Sequence, residues 1–166
     1  VALGVPLAMI KAGLETAPPV AGRLLRRAHA SGAVVIDDSY NANPGSFAAA
    51  IATLAAEPGE RVLVMGDMAE LGSDAERLHA DIGALARRSG IQRLRAVGPL
   101  SRAAVDAFGA GAAHHDAQDA LIEALRAELR GGVVLLVKGS RSSAMERVVA
   151  ALLDGERNGG GERHAA

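Results

Sequence analysis

The feature that most constrains the fold is the alternation, from Ala33 onward, of short β-branched apolar runs with longer amphipathic stretches. The runs are continuously apolar, as in strands covered on both faces of a sheet; they are residues 33–37, 61–66, 94–98 and 133–137. Stretches with helical spacing follow them, at residues 46–56, 73–88, 116–129 and 142–153. Strands separated by helices of this length run parallel, joined by right-handed crossovers. The sequence therefore predicts an α/β fold, a doubly wound, mostly parallel sheet with helices on both faces.

Local signals refine these elements. A further short strand is predicted at residues 112–115, and Pro58-Gly59 is expected to end the first helix of the α/β unit. Helix-capping signals are predicted at Ser46, at Ser73 with Glu76, and at Ser143 with Glu146.

The two ends of the chain differ from its middle. Residues 1–17 are predicted to form one helix closed by a proline pair, and an arginine-bearing link connects this helix to the α/β unit. Residues 154–166 are polar and glycine-rich, so this tail is expected to be disordered. The expected division is therefore 1–22, 23–153 and 154–166.

Composition excludes several classes of protein. The net charge is −1, and no basic stripe is interleaved with aromatic residues, so nucleic acid is not an expected partner. The absence of cysteine excludes disulfides and thiolate metal sites. No apolar run is long enough to span a bilayer, and no signal segment is recognised, so no membrane association is expected.

Polar loops follow three of the predicted strands. They read DDSYNANPGS after the first strand, GDMAELGS after the second, and KGSRSS after the strand at 133–137. Ligands of open parallel sheets bind beyond the carboxyl ends of the strands, where such loops converge. The sequence therefore predicts a binding site at this edge of the sheet.

The first loop has two interpretations. Asp37 and Asp38 end a buried strand, where a carboxylate could accept hydrogen bonds from a ribose diol, and Asn41 and Asn43 offer amide edges that match adenine. Tyr40, the one tyrosine of the chain, lies between them. The alternative is a plain Asx-turn before a helix.

The other two loops carry charged residues of opposite sign. Asp67 and Glu70 could bind a cation or an ammonium group, although the same residues fit an ordinary helix entry. The third loop brings Lys138, Ser140, Arg141 and Ser142 to the start of a helix, a position that attracts a carboxylate or phosphate. Lys138 is one of two lysines among eighteen basic residues, so a compact ammonium could be required there.

Several familiar sites are missing from the sequence. Neither a Walker phosphate loop nor a G-x-G-x-x-G fingerprint occurs, which argues against a dehydrogenase-like domain. His79 lies within an amphipathic stretch beside Leu78 and is expected to be a packed or surface histidine rather than a ligand. The pair His114-His115 has no carboxylate at metal-ligand spacing, so no metal site is assigned.

Taken together, the motifs resemble one family. VIDDSYNANPGS, VLVMGDMAELG followed by Leu78-His79, AVG at 96–98 and LLVKGSRSSAMERVV are similar to the C-terminal domain of MurF ligases, a branch of the Mur ligase family. The similarity extends over about residues 22–153, and residues 1–17 resemble the last helix of the family's central ATPase domain. These ligases add D-alanyl-D-alanine to UDP-N-acetylmuramoyl-tripeptide in cytoplasmic peptidoglycan synthesis, which supports cell-wall biogenesis, cell shape and division.

The resemblance also implies a role for the loops. ATP and Mg²⁺ convert the tripeptide carboxylate to an acyl phosphate, which the dipeptide amine attacks, and the C-terminal domain closes over the nucleotide. By position, the resemblance assigns nucleotide binding to Arg23, Asp38, Tyr40, Asn41 and Asn43. It places Lys138, Ser140, Arg141 and Ser142 towards the dipeptide carboxylate, with Asp67 and Glu70 towards its ammonium group.

The departure from the family is large. The N-terminal domain and nearly all of the central domain are missing, and with them the phosphate loop and the metal ligands. The chain alone is therefore expected to be inactive, with no complete catalytic set and no metal ligand of its own. The alternative is a stand-alone, non-catalytic α/β module that binds a nucleotide or a small carboxylate.

Overall fold

A computed structural model describes residues 4–16 and 20–158. In this part of the chain, six strands form one sheet in the order β1-β2-β6-β3-β4-β5. The strands are β1 (Leu25–Ala28), β2 (Val34–Asp38), β3 (Glu60–Met65), β4 (Arg93–Val97), β5 (Ala112–His115) and β6 (Val133–Lys138). The helices are α1 (Leu7–Glu15), α2 (Pro44–Ala55), α3 (Ala75–Arg88), α4 (Arg102–Phe108), α5 (Gln118–Glu128) and α6 (Glu146–Asn158).

The path of the chain explains how the sheet is assembled. It passes from β2 through α2 to β3, then outward through α3 and α4 to β4 and β5, and returns through α5 to β6. Strand β6 lies between β2 and β3. The five strands β2, β3, β4, β5 and β6 run parallel to one another. The predicted fold class is confirmed, including the short strand at 112–115.

Two apolar cores cover the two faces of the sheet. One lies under α2, α3 and α4 and includes Phe47, Leu54, Ile82, Leu94, Phe108 and Leu136. The other lies under α5 and α6 and includes Val64, Leu121, Leu125, Leu135, Val148 and Leu152. Burying a large apolar side chain contributes about 1.5–3 kcal/mol, so the central strands are held from both sides.

Two elements were not predicted. Strand β1 is antiparallel to β2 and lies at the edge of the sheet. Its sequence LRRA has only Leu25 partly buried, so it lacks the apolar run by which the other strands were recognised. Helix α4 has seven residues, and small alanines provide much of its packing face, so its helical pattern is short.

The predicted helix caps were wrong in each case. Helix α2 is capped by Asn43, whose side chain accepts from the Ser46 backbone N–H, and Ser46 is the third residue of the helix in this capping box. Ser73 lies in a short 3-10 helix (Gly72–Asp74) before α3, and the residue that precedes α3, Asp74, makes no side-chain cap. Another 3-10 helix (Arg141–Ser143) precedes α6, which begins at Glu146 itself.

The ends of the chain fit the predictions in part. Helix α1 lies within the predicted helix over 1–17, but residues 1–3 and 17–19 are outside the described residues. Helix α6 continues to Asn158, into the segment expected to be disordered, and residues 159–166 are not described. No helix in the described ranges is both long and apolar enough to cross a bilayer.

Candidate functional site

The three polar loops meet at one edge of the sheet. Strand β6 lies between β2 and β3, and Lys138 is paired in register with Asp38 on one side and Met65 on the other. Because all three strands are parallel, the loops that follow them leave from the same edge. The predicted convergence of these loops is therefore present.

Lys138 holds two of these loops together. Its Nζ donates to Asp38 Oδ2 at 2.7 Å and to the Asn41 carbonyl oxygen at 2.9 Å, and it lies 5.6 Å from the centroid of the Phe47 ring. The Lys138 side chain is only 3% exposed. This arrangement differs from the direct contact with a ligand carboxylate that was expected, because the ammonium group is buried and already has two oxygen partners.

Asp37 and Asp38 join the link before β1 to the end of β2. Asp37 Oδ2 accepts from the Gly22 N–H, and Asp38 Oδ1 accepts from the Leu24 N–H, both at 3.2 Å. Leu24 has a left-handed backbone, with φ 50°. Both Asp38 oxygens thus have protein partners, although each carboxylate oxygen can accept a second hydrogen bond. These bonds place the neighbouring Arg23 beside the first loop.

Tyr40 lies between two arginines. The Arg23 guanidinium carbon is 4.7 Å from the ring centroid, and that of Arg141 is 5.5 Å away. Tyr40 is 47% exposed, and a Cβ on Gly22 would come within 2.9 Å of the Tyr40 nitrogen. The ring therefore contacts both Arg23, a predicted nucleotide residue, and Arg141, a predicted dipeptide residue, through cation–π interactions.

Two clefts open on this edge and share a wall. The larger has a volume of about 590 Å³ and is lined by Asn41, Ala42, Asn43, Ala69, Glu70, Leu71, Ser140, Arg141 and Ser142. The smaller, of about 220 Å³, is lined by Arg23, Tyr40, Asn41, Ala42, Asn43, Ser46 and Lys138. Residues 41–43 border both clefts, so one wall separates Arg23 and Tyr40 from Glu70 and residues 140–142.

The side chains of this wall are held locally. Asn43 caps α2, and Asn41 Oδ1 accepts from the Ala42 N–H at 2.8 Å. Pro44 follows at the first position of α2, where its missing N–H is not needed. The Asx-turn interpretation and the site interpretation are thus compatible, because the same asparagines shape the loop and line the clefts.

Like Asp38, Asp67 is a predicted site residue that lines neither cleft. Its carboxylate accepts from the Ser101 N–H at 2.8 Å and from the Leu100 N–H at 3.3 Å, at the turn before α4. Gly98 approaches it closely, since a Cβ there would lie 2.5 Å from Asp67 Oδ1. The expected contact between Asp67 and a ligand ammonium is therefore replaced by a structural role at the β4–α4 turn.

Glu70 does line the larger cleft. It is exposed, and its backbone is left-handed with φ 61°, which is strained for a residue with a Cβ. Strain of this kind is tolerated where the surrounding structure enforces it, and such positions cluster at binding sites. Glu70 is thus a candidate carboxylate for a bound ammonium group.

The third loop is fixed through its serines. The Ser140 N–H and the Ser143 hydroxyl both donate to the Asp67 carbonyl oxygen at 2.9 Å. The Ser140 hydroxyl is buried and lies 3.1 Å from those of Ser142 and Ser143. Ser140 is therefore a support of the loop, while Arg141 and Ser142 are exposed in the larger cleft.

Gln118 supports the same loop and was missed by sequence reasoning. Its Nε2 donates to the carbonyl oxygens of Ser143 and Ala144, at 2.7 and 3.3 Å. No sequence signal points to this contact, because Gln118 begins a helix that is distant along the chain.

His79 occupies a structural position, and His115 lies in an environment that affects its pKa. His79 is buried, with Nε2 accepting from the Met68 N–H at 2.8 Å and Nδ1 donating to the Ala75 carbonyl oxygen at 2.6 Å, so it is the packed histidine of the two expected alternatives. Burial, followed by the positive charges of Arg95 and His114, lowers the pKa of His115. The described ranges hold no group of three His, Asp or Glu side chains arranged for a metal ion.

Comparisons with known proteins identify the family of the chain. Residues 22–141 match the family model described as Mur ligase, glutamate ligase domain. The UDP-N-acetylmuramoyl-tripeptide–D-alanyl-D-alanine ligase of Escherichia coli is 47% identical over 152 residues, which are 90% of the chain and 33% of that relative. The chain thus spans about a third of the length of the curated relatives it matches.

Solved structures show the same relationship. MurF from Acinetobacter baumannii has a TM-score of 0.82 and 34% identity, covering 92% of the chain and 34% of that protein. The MurF ligase from Thermotoga maritima, solved in complex with ADP, has a TM-score of 0.77 and 24% identity, covering 92% and 36%. With a family model matched over residues 22–141, the chain belongs to the Mur ligase family and carries its C-terminal domain.

Proposed function

We propose that the chain is part of a longer ATP-dependent ligase that joins D-alanyl-D-alanine to UDP-N-acetylmuramoyl-tripeptide in peptidoglycan synthesis. Its relatives in the Mur ligase family carry this name, and the similarity spans nearly the whole of the chain. In this proposal the domain closes over ATP and positions the incoming dipeptide in the cytoplasm. The N-terminal and central domains, which complete the active site, are its partners.

The observation that carries the proposal is the pair of clefts divided by residues 41–43. In the proposed reaction the dipeptide amine must reach the carboxylate that ATP activates, so the nucleotide and dipeptide subsites must be adjacent and differ in chemistry. The smaller cleft offers the Arg23 guanidinium and the exposed face of Tyr40, and the larger offers the Arg141 guanidinium and the Glu70 carboxylate.

The smaller cleft is suited to a nucleotide. Arg23 offers a cation for phosphate, Tyr40 a ring face, and Asn41 and Asn43 amide groups that match a base or a sugar. ADP is a ligand of the Thermotoga maritima protein, whose fold the chain shares. When bound, ATP activates the carboxylate of the tripeptide. In this proposal Asp38 fixes the end of β2 through its bonds with Leu24 and Lys138, and its remaining lone pairs accept hydrogen bonds from a ribose.

The larger cleft is suited to a dipeptide zwitterion. The planar Arg141 guanidinium can bind a carboxylate with two parallel hydrogen bonds, and Ser142 is exposed beside it. Glu70 can receive the ammonium group. Lys138 and Ser140 do not contact the dipeptide in this proposal. Both are buried, and they hold the loops that carry the exposed groups.

Magnesium would be held outside this chain. Mg²⁺ prefers an octahedral set of oxygen ligands, often one or two carboxylates with phosphate and water. Asp37, Asp38 and Asp67 each accept hydrogen bonds from the protein backbone. The Mg²⁺ ligands are therefore expected in the central domain, together with the phosphate loop.

The test is a calorimetric titration of the full-length ligase with D-alanyl-D-alanine. Arg141→Met keeps the length of the side chain but removes its charge, so we expect the dissociation constant to rise about tenfold or more. Arg88→Met, at an exposed position at the end of α3, is the control and should leave it unchanged. Equal affinity of the Arg141→Met enzyme and the wild type would remove the anion subsite from the proposal.

A further inference from the structure

The loop that carries Arg141 is held from two directions. From the side of β3, the Asp67 carbonyl oxygen accepts from the Ser140 N–H and from the Ser143 hydroxyl. A second contact comes from Gln118, at the first position of α5. The Arg141 side chain itself is exposed, so its position over the cleft depends on how firmly its backbone is held.

The Gln118 contact falls on the most strained part of this loop. Its Nε2 donates to the Ser143 carbonyl oxygen at 2.7 Å and to the Ala144 carbonyl oxygen at 3.3 Å. Ala144 has a left-handed backbone, with φ 47°, a conformation that an alanine adopts at an energetic cost. The two carbonyl groups lie on either side of the Ala144 Cα, so the amide of Gln118 holds both peptide groups that define this conformation.

We propose that Gln118 is a positioning residue for the larger cleft: its amide fixes the 140–144 turn and thereby sets the orientation of Arg141 towards the dipeptide carboxylate. The proposal rests on the function proposed above. It adds a determinant of dipeptide affinity that touches no substrate and lies on α5, a helix of the second core.

The chemistry of an amide is specific at this position. A Gln side chain offers two N–H donors to the two carbonyl oxygens, whereas a Glu carboxylate would repel them and a Met thioether offers no donor. The Gln118 Oε1 is buried and has no hydrogen-bond partner within the described residues. The contacts of Gln118 with the turn are therefore made through its NH₂ group.

The first test measures the turn directly. Amide hydrogen exchange is compared between the chain and its Gln118→Met variant, which keeps the size of the side chain. We expect faster exchange at Ser143 and Ala144, whose N–H groups close the turn onto Ser140 and Arg141. Unchanged exchange at these amides would overturn the proposal, because the turn would then be held without Gln118.

The matched control is Gln92→Met. Gln92 also uses its amide side chain on the backbone, accepting from the Arg61 N–H at 2.9 Å, but it lies just before β4, at the opposite edge of the sheet. Loss of this hydrogen bond should speed amide hydrogen exchange near β3 and β4 and leave the amides of the 140–144 turn protected. Equal deprotection of the turn by both variants would indicate general destabilisation and would contradict the proposal.

The second test measures the effect on the dipeptide in the full-length ligase. Gln118→Met is expected to raise the KM for D-alanyl-D-alanine about fivefold, with the KM values for ATP and the UDP-linked substrate unchanged, and Gln118→Glu should raise it further. The Gln92→Met enzyme should resemble the wild type. A fall in kcat with an unchanged dipeptide KM would overturn the positioning role.

A double variant separates the two proposals. If Gln118 acts through Arg141, adding Gln118→Met to Arg141→Met causes no further loss of dipeptide affinity. If the two losses add fully, Gln118 acts by another route and the inference fails while the anion subsite stands. If Arg141→Met alone has no effect on dipeptide affinity, the proposed function of the cleft fails, whatever hydrogen exchange shows for the turn.

Discussion

At the scale of single residues, the pair formed by Lys138 and Asp38 explains why a lysine stands in so arginine-rich a chain. The ammonium group fits between Asp38 Oδ2 and the Asn41 carbonyl oxygen, under the Phe47 ring. A guanidinium is larger and planar, and it presents its donors in a fixed fork. The sequence signalled that a compact cation was needed, but the partners of this cation depend on strand register, which the sequence alone does not specify.

The two members of this pair are expected to differ in their effect on stability. Asp38→Asn leaves the buried ammonium without a counter-charge, which should lower the free energy of unfolding by about 3 kcal/mol. Lys138→Met should cost less, because Asp38 is more exposed and still accepts from the Leu24 N–H. Urea unfolding of the chain and both variants measures the two losses in the free energy of unfolding. A greater loss for Lys138→Met than for Asp38→Asn would contradict this account.

A second residue-scale prediction concerns pH. Burial, and then Arg95 and His114, lower the pKa of His115 in the folded chain below its ordinary value of 6.5, although Glu128 and Asp116 act in the opposite direction. Between the two pKa values the unfolded chain binds more protons, so folding stability rises with pH. The contribution of His115 to folding stability is complete above its pKa in the unfolded chain, and it is lost as the pH falls towards its pKa in the folded chain.

We therefore expect the urea midpoint of the chain to fall between about pH 7 and about pH 5, and to fall less in His115→Gln. His29→Gln serves as the control, because His29 lies near the loop between β1 and β2, away from Arg95. If the pH dependence of His115→Gln matches that of the wild type, His115 is not the source of the change.

At the scale of elements, the packing of α3 against α4 depends on Gly83. A Cβ at this position would lie 2.0 Å from the Ala104 carbonyl oxygen, so Gly83→Ala requires the two helices to separate. We expect a loss of about 2 kcal/mol in unfolding free energy, despite the better helix propensity of alanine.

Gly45→Ala is the matched substitution. Gly45 lies in the first turn of α2, where a Cβ would meet only Asn43 Oδ1, at an ordinary 3.5 Å. This variant should equal or exceed the wild type in stability, by up to about 1 kcal/mol. Thermal unfolding of both variants provides the comparison, and equal losses would show that helix-to-helix distance is not the cause.

The elements also show what a sequence of this kind can predict. Strands β2, β3, β4 and β6 were predicted because central parallel strands are apolar on both faces. Strand β1 was missed because an edge strand needs no such run, and α4 because seven residues give little helical periodicity. The cap predictions were wrong for a related reason. A serine before a helix predicts a cap only if the α-helix begins directly after it, and two of these serines lie in 3-10 helices instead.

The candidate site was predictable in place but only partly in detail. Polar loops after parallel strands must share an edge, so their convergence followed from the strand pattern. The sequence did not distinguish Arg141, which is exposed, from Lys138 and Ser140, which are buried beneath it. Nor could it show that the Asp67 carboxylate serves the turn before α4 while its carbonyl oxygen holds the third loop.

At the scale of the whole molecule, the smaller cleft, proposed to bind the nucleotide, is too small to hold ATP alone. Its volume of about 220 Å³ is below the range of about 300–1,000 Å³ that is usual for small-molecule sites. It offers one exposed guanidinium and one ring face, with no phosphate loop. In the proposed function, the remaining contacts with ATP come from another domain of the ligase that faces this edge of the sheet.

We therefore expect the 166-residue chain to bind ATP at least about a hundredfold more weakly than the full-length ligase, because most of the phosphate contacts are absent. Calorimetric titration of both proteins with ATP, each compared with its Arg23→Met variant, measures this difference. In the ligase the substitution should weaken binding, since Arg23 supplies one of the cations that neutralise the phosphates. Comparable affinity of the chain and the ligase would show that the chain holds a complete nucleotide site, and the interpretation as a stand-alone binding module would replace that of a closing domain.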